Sequence, residues 1–274
     1  MKGRLSKRKV AVYTMERKLG IQSSNLLARP EIENLHALKD HGFESFFTGT
    51  IDVKEVCKLK NEADKLGLHF DHVHAPFMGI NELWGPGLSF VQYDLMKRIK
   101  QTIDAAYESG VNRIVLHVQG GPSTPRLCDI GFARFDEIIT YALDRGVYVA
   151  IENLRRLGPV ACLMERYERF KEVGFCYDTG HEICYTSGIH FLDCFGSRLL
   201  STHIHDNHGI KDEDEHLLPF DGIFDYQDMM NRINACGYDQ VLSLEVCKGS
   251  RYKDMTDDQF LDTAYERILK ISKM

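Results

Sequence analysis

A single closed (β/α)₈ barrel spanning residues 1–274 is the fold the sequence predicts, and three observations predict it. Strand-like apolar runs alternate with amphipathic helical stretches along the chain, and repeated strand–helix units demand a parallel sheet with right-handed crossovers. Eight such pairs fit into 274 residues without a linker or low-complexity segment between them, which is most economically a barrel. An open doubly wound sheet is the alternative, but no G-x-G-x-x-G follows the first strand.

The first strand is expected at Val10-Ala11-Val12-Tyr13-Thr14. Residues 30–41 follow as a helix, with Ile32, Leu35 and Leu38 at helical spacing and Gly42 as its stop. Residues 43–48 make the second strand, and a helix over 53–66 runs to another glycine stop, Gly67. The third strand, 69–74, ends at Ala75-Pro76, and a Gly- and Pro-containing loop over 77–89 leads to a helix at about 91–109. The pattern continues with strand 113–118, helix 131–145, strand 148–152 and helix 160–170. The apolar run 173–177 reads as a buried strand closing on Asp178-Thr179-Gly180-His181, where Gly180 is expected to turn the chain sharply. A short helix at 191–198, a strand at 199–205, an amphipathic helix at 225–236, a strand at 240–246 and a helix at 257–271 complete the eight pairs.

Composition narrows the class. Hydrophobic content of 43% and charged content of 27% are those of a soluble globular protein. The net charge of −6 is no electrostatic footprint for duplex nucleic acid or an anionic membrane, so neither is an expected partner. Met1 to Lys9 is basic without an apolar run behind it, and no stretch has membrane-spanning length. Eight cysteines occur without a C-x-x-C pair, so free thiols and a cytoplasmic location are expected.

The polar residues fall where a barrel does chemistry, at the carboxyl ends of its strands. His74, His117, Glu152, Asp178, His203 and Glu245 stand at the ends of strands three to eight. His181 comes from the loop after strand six, and Asp214 and His216 from the loop after strand seven. A lone strand histidine is usually a hydrogen-bonded core residue. Six strand ends in succession point instead to a metal centre. Nitrogen and oxygen ligands without thiolate suit a divalent ion, Zn²⁺ or Mn²⁺ first, with Fe²⁺, Co²⁺ or Mg²⁺ open.

These contexts resemble the xylose isomerase-like barrel superfamily, which includes sugar isomerases, sugar epimerases and endonuclease IV. The resemblance runs from about Val10 to the C-terminal helix. It is carried by His74-Ala75-Pro76-Phe77, Leu116-His117, Ile151-Glu152-Asn153, Asp178-Thr179-Gly180-His181, His203-Ile204-His205-Asp206-Asn207, Asp214-Glu215-His216 and Leu244-Glu245. It implies that Glu152, Asp178, His203 and Glu245 form the shared metal site. His74 and His117 would join Glu152 in a second site, and His181, Asp214 and His216 would form a third, for one to three ions in all. It further implies a metal-dependent isomerase or epimerase working through an enediolate, with Glu152 and Glu245 as both ligands and acid/base groups. The substrate would be a small sugar or sugar phosphate, and a homo-oligomer is open. A nuclease acting on abasic DNA is the first alternative, and a non-catalytic ligand-binding barrel the second.

Departures from the nuclease branch favour the sugar reading. Gly180 stands where that branch has cysteine, the run 203–208 differs from its His-Leu-Asn-Asp-Ser-Lys, and the first strand lacks Gly-x-His. Phe220 replaces the first glycine of the superfamily's Pro-Gly-x-Gly turn, which bears on the loop path beyond His216. Candidate substrate contacts are His72 and His205, which share strand faces with His74 and His203, Trp84 as an apolar wall, and Arg155 and Lys248 as cations for a phosphate. For each the bland alternative is an ordinary hydrogen-bonded, packed or solvated side chain.

Overall fold

The computed structural model describes residues 16–87, 89–121 and 125–274. Within them the chain runs β1 (Leu19–Gln22), α1 (Glu31–Asp40), β2 (Ser45–Thr48), α2 (Val53–Leu66), β3 (His69–His74) and α3 (Phe90–Ser109). It continues with β4 (Arg113–Leu116), α4 (Asp129–Leu143), β5 (Tyr148–Glu152), α5 (Leu157–Arg166), β6 (Val173–Asp178) and α6 (Thr179–Tyr185). The last third holds α7 (Phe191–Phe195), β7 (Leu199–His203), α8 (Tyr226–Ala235), β8 (Leu242–Leu244) and α9 (Asp257–Ser272). All eight strands pair in parallel, in the order β7-β6-β5-β4-β3-β2-β1-β8. The ring closes where Ile204 bridges Leu244, with Ile204 N–H donating to Ser243 O at 2.8 Å.

Local chemistry sets the element ends. Asp52 caps α2 by accepting from the N–H groups of Lys54 and Glu55, and Gly67 ends it at φ 68°. Ser89 with Gln92 and Thr256 with Gln259 form reciprocal capping boxes at the starts of α3 and α9. Apolar helix faces (Ile99 and Ile103 of α3, Ile138 and Ile139 of α4, Phe260 and Ile268 of α9) are fully buried against the sheet. Successive strand residues face opposite sides, so each of the six polar strand-end residues has the residue two before it directly beneath. Under five of the six they are small (Val115 under His117, Ala150 under Glu152, Cys176 under Asp178, Ser201 under His203 and Ser243 under Glu245), and under His74 stands His72, all buried. Val115, Ala150 and Cys176 form a small apolar cluster separate from the main core.

The structure departs from the sequence expectation at several places. The strand expected at 10–14 lies outside the described residues, and the first barrel strand is Leu19–Gln22. Gly20 inside it masks the strand pattern. A Cβ there would sit 2.9 Å from both Ser243 Oγ and Val241 Cγ1 of the neighbouring strand, so close approach explains the glycine. The expected 77–89 loop contains a 3₁₀ turn at Ile80–Trp84. Asp178-Thr179-Gly180-His181 does not turn at a glycine; Asp178 caps α6 through the His181 N–H at 2.6 Å, and His181 lies in its first turn. Phe220 adopts φ 74°, the left-handed conformation a glycine would supply at that place. In β3 the register advances from Phe46↔Phe70 to Thr48↔Val73, so β3 carries one residue more than β2 between those pairs. This bulge over Asp71-His72 bears directly on the site. Among the described residues no helix is long and apolar enough to cross a membrane. All eight cysteines are free.

Candidate metal centre

Parallel pairing of neighbouring strands aligns Asp178 with His203 and places Glu152 beside Cys176 at the top of the barrel. Glu245 follows directly on β8, its N–H donating to Ile204 O at 3.1 Å. Donor atoms of Glu152, Asp178, His203 and Glu245 all lie within 4.8 Å of one another. His203 Nδ1 is 3.2 Å from Glu245 Oε2 and 3.4 Å from Glu152 Oε1. Yet neither His203 Nδ1 nor Glu152 Oε1 has a hydrogen-bond partner, although both residues are fully buried. Buried polar atoms are costly unless paired. Atoms that converge on one point without bonding each other fit a cation placed between them, and their oxygen and nitrogen types fit a divalent transition ion.

The surrounding imidazoles turn toward the same space. His74 Nδ1 donates to Ala75 O at 2.8 Å, His181 Nδ1 to Asn153 O at 2.9 Å, and His216 Nδ1 to Glu245 O at 2.9 Å. A carbonyl oxygen only accepts, so these hydrogens are fixed on Nδ1 and each Nε2 faces the centre. Glu152 Oε2 lies 3.0 Å from His117 Nε2 and 3.3 Å from His74 Nε2. Asp214 Oδ2 lies 3.1 Å from His181 Nε2 and 3.2 Å from His216 Nε2. All nine residues named from the strand ends and loops therefore meet at one mouth. His205, Asp214 and His216 also form a close donor group.

Charge sharing follows from this crowding. Burial alone would raise Glu152 and Glu245, but the imidazoles, His117 first for Glu152 and His203 first for Glu245, hold both carboxyls well below the usual range. Burial works against a charge on His216, yet Asp214 and Glu245 lift it to about 10. His72 is the opposite case: burial outweighs the pull of Asp71 and pushes its imidazole down to about 4.

A cavity of about 150 Å³ opens over the centre, lined by Phe77, His117, Leu154, Arg155, Tyr185 and Glu245 together with the His181–Asp214–His216 group. Arg155 sits at its rim, stacked 3.9 Å over the Tyr185 ring and bonded to Asp212 at 2.5 Å. The other four suggested substrate contacts do not reach it. Trp84 is buried beneath the 3₁₀ turn, donating to Val118 O at 2.7 Å and packed on Phe132 and Phe135, because Gly131 leaves room for its ring. Lys248 is tied to Asp257 at 2.6 Å, at the start of α9. His205 is fully buried, stacked on His216 at 4.1 Å, its Nε2 at 3.1 Å from both Asp178 oxygens. His72 is fully buried behind His203, its Nε2 3.0 Å from the His203 Nε2.

Phe77 and Tyr185 were not singled out. Phe77 is half-exposed and stacks on His117 at 4.4 Å. Tyr185 stands four residues after His181 on α6 and packs on it at 5.3 Å. Helical spacing links Tyr185 to His181, but a seven-residue helix shows too little of its period for the sequence to reveal it.

Comparison with known proteins agrees with the barrel fold. The family model described as the xylose isomerase-like TIM barrel matches residues 35–264. Protein y4fM of Sinorhizobium fredii is 34% identical over 190 residues, which cover 64% of this chain and 60% of that protein. Among solved structures, a D-tagatose 3-epimerase-like protein superposes with a TM-score of 0.72 at 22% identity, over 93% of this chain and 98% of its own. The IOLI protein with a bound zinc atom superposes with a TM-score of 0.72 at 16% identity, over the same 93% of this chain and 98% of its own.

Proposed function

Because this chain belongs to the xylose isomerase-like TIM barrel family, we propose that it is a metal-dependent isomerase or epimerase of a small sugar or sugar phosphate. The observation that carries the proposal is the convergence of Glu152, Asp178, His203 and Glu245 on one point, with buried lone pairs left unbonded, beneath a small cavity. The cavity is smaller than the roughly 300–1,000 Å³ of drug-sized ligand pockets, which suits a compact substrate. Similar folds carry epimerase-like and zinc-bound proteins, and Zn²⁺ or Mn²⁺ suits these donors.

A divalent ion held by the four groups would act as a Lewis acid on adjacent carbonyl and hydroxyl oxygens of a ketose. The chain's own residues do the rest. Glu245 is 15% exposed on its side chain and lines the cavity, whereas Glu152 is fully buried with Oε2 engaged by two imidazoles. Glu245 therefore takes the carbon-bound proton beside the carbonyl, the electron pair moves to the carbonyl oxygen, and an enediolate results. Return of a proton to the other face epimerises that carbon; return to the neighbouring carbon, with the hydroxyl proton passing from one oxygen to the other, isomerises the sugar. Glu152, at the back of the centre, is the partner carboxylate for the returning proton. Phe77 offers an apolar face to the substrate, and Arg155 a cation at the rim.

The test is a panel of ketoses and ketose phosphates in D₂O with added Zn²⁺ or Mn²⁺, read by NMR and product analysis. At least one should take up deuterium beside its carbonyl or yield a new sugar; neither across a broad panel, with metal bound, would remove the isomerase. The complete nine-group set favours one second reading, hydrolysis of phosphodiesters at abasic sites. Duplex binding rests largely on cationic side chains, which a net charge of −6 does not favour. Efficient incision of abasic duplex at physiological salt, abolished by Glu152→Gln, would put the nuclease first.

A further inference from the structure

His203 differs from the other histidines of the centre. His74, His181 and His216 are fixed through Nδ1 by backbone carbonyls and face inward with Nε2. His203 faces inward with Nδ1, and its Nε2 meets no carbonyl but the ring of His72 at 3.0 Å. Behind His72 stands Asp71, whose Oδ2 is 2.7 Å from His72 Nδ1, and behind Asp71 stands Arg113, with Nη1 3.0 Å from Asp71 Oδ1. Arg113 is held in turn by Gln240 Oε1 at 2.5 Å and Ser201 Oγ at 3.3 Å. Strict alternation would put Asp71 and His72 on opposite faces of β3. The extra residue at this place in the register lets neighbours in sequence share the barrel interior.

We infer that Arg113, Asp71 and His72 are positioning residues that fix the tautomer of His203, so that its Nδ1 lone pair is presented to a metal ion. The inference rests on reading His203 as a ligand, and follows from counting hydrogens. Asp71, paired with Arg113, accepts, so the hydrogen between it and His72 belongs to His72 Nδ1. One hydrogen must also lie between His72 Nε2 and His203 Nε2. Placed on His72, it would make a fully buried imidazolium behind a cation site. Placed on His203, it leaves both rings neutral and His203 Nδ1 bare, which is the atom found unbonded among the carboxylates. The ring planes are held as well. Phe47 stacks on His72 at 4.4 Å and on His203 at 4.7 Å, nearly parallel to both. Groups that orient a metal-bound histidine change affinity by about 10–100-fold when removed.

The experiment uses ¹⁵N-histidine-labelled full-length protein, with and without Zn²⁺, the ring nitrogens of His72 and His203 being assigned by substitution. In the zinc form, His203 should show a protonated Nε2 and a zinc-bound Nδ1, and His72 a protonated Nδ1 and a bare Nε2. His203 bound through Nε2, or a doubly protonated His72, would overturn the inference. Zinc affinity is measured alongside, by competition with a chromophoric chelator. His72→Phe keeps an aromatic ring but removes the acceptor, and should weaken zinc about 10–100-fold. His72→Gln restores an acceptor near the place of Nε2 and should recover most of that loss at similar thermal stability. A purely structural role would lower stability in both variants without separating their affinities, and equal affinities would overturn the inference. If His72→Phe does not fold, the wild-type spectrum decides. If the unmodified protein takes up no zinc, the proposed function falls. The zinc-free spectrum then still decides the relay: a neutral His72 with its hydrogen on Nδ1 supports it, and an imidazolium overturns it.

Discussion

Glu245→Gln should cut solvent deuterium exchange at the reacting carbon by about 10²-fold or more, the scale of losing a positioned general base. The expectation follows from the unequal placement of the two glutamates. Glu245 faces the cavity, and its close side-chain partner is His203 Nδ1 at 3.2 Å. Glutamine keeps the length and one coordinating oxygen, so at saturating metal the loss should fall on kcat more than on KM. Glu152→Gln should behave differently. Its carboxylate is fully buried among His74, His117, His181 and His203, and removing its charge should release metal before chemistry can be measured. Exchange at the wild-type rate in metal-loaded Glu245→Gln would take the base role away from Glu245.

Gly180→Ala should disable the centre although residue 180 offers it no side chain. A Cβ there would lie 1.9 Å from His205 Cε1, 2.4 Å from His205 Nδ1 and 2.7 Å from Asn207 Nδ2. His205 has nowhere to go, being fully buried, stacked on His216 and bonded through Nε2 to Asp178. Overpacking a filled core typically costs 1–3 kcal/mol, occasionally more. A cost of about 3 kcal/mol lowers the melting temperature by roughly 6–12 °C in a domain of this size class. Because the displaced ring holds Asp178, bound metal should fall with stability. A thermal melt and metal analysis on the same sample check both, and a variant with wild-type melting and metal content would contradict this account of Gly180. A side chain at 180 and an imidazole at 205 exclude each other, which gives the cysteine-to-glycine departure at this position a physical cause.

Much of the centre was legible because strand geometry is periodic. Once the βα repeats are counted, a polar residue closing each apolar run must point at the barrel mouth, and His74, His117, Glu152, Asp178, His203 and Glu245 do. What escaped has identifiable causes. Gly20 broke the pattern of the first strand for the sake of close strand contact. α6 is seven residues long and begins at the strand end without a break, so its 3.6-residue period had no room to show. Asp71 was invisible because alternation assigns it to the face opposite His72, and only the register shift in β3 overrides that. For Trp84 and Lys248, chemical type and nearness to a strand end do not reveal the partner, Val118 O for one and Asp257 for the other, that takes each away from the mouth.

The central claim is that Glu152, Asp178, His203 and Glu245 hold a divalent ion, and elemental analysis of the protein after chelator-free purification tests it most directly. The account predicts at least one divalent transition ion per chain. Content should fall in Asp178→Ala and His203→Ala and stay unchanged in His36→Ala, a surface residue paired with Glu62. Protein that is metal-free as purified, and that also fails to bind added Zn²⁺ or Mn²⁺, would contradict it.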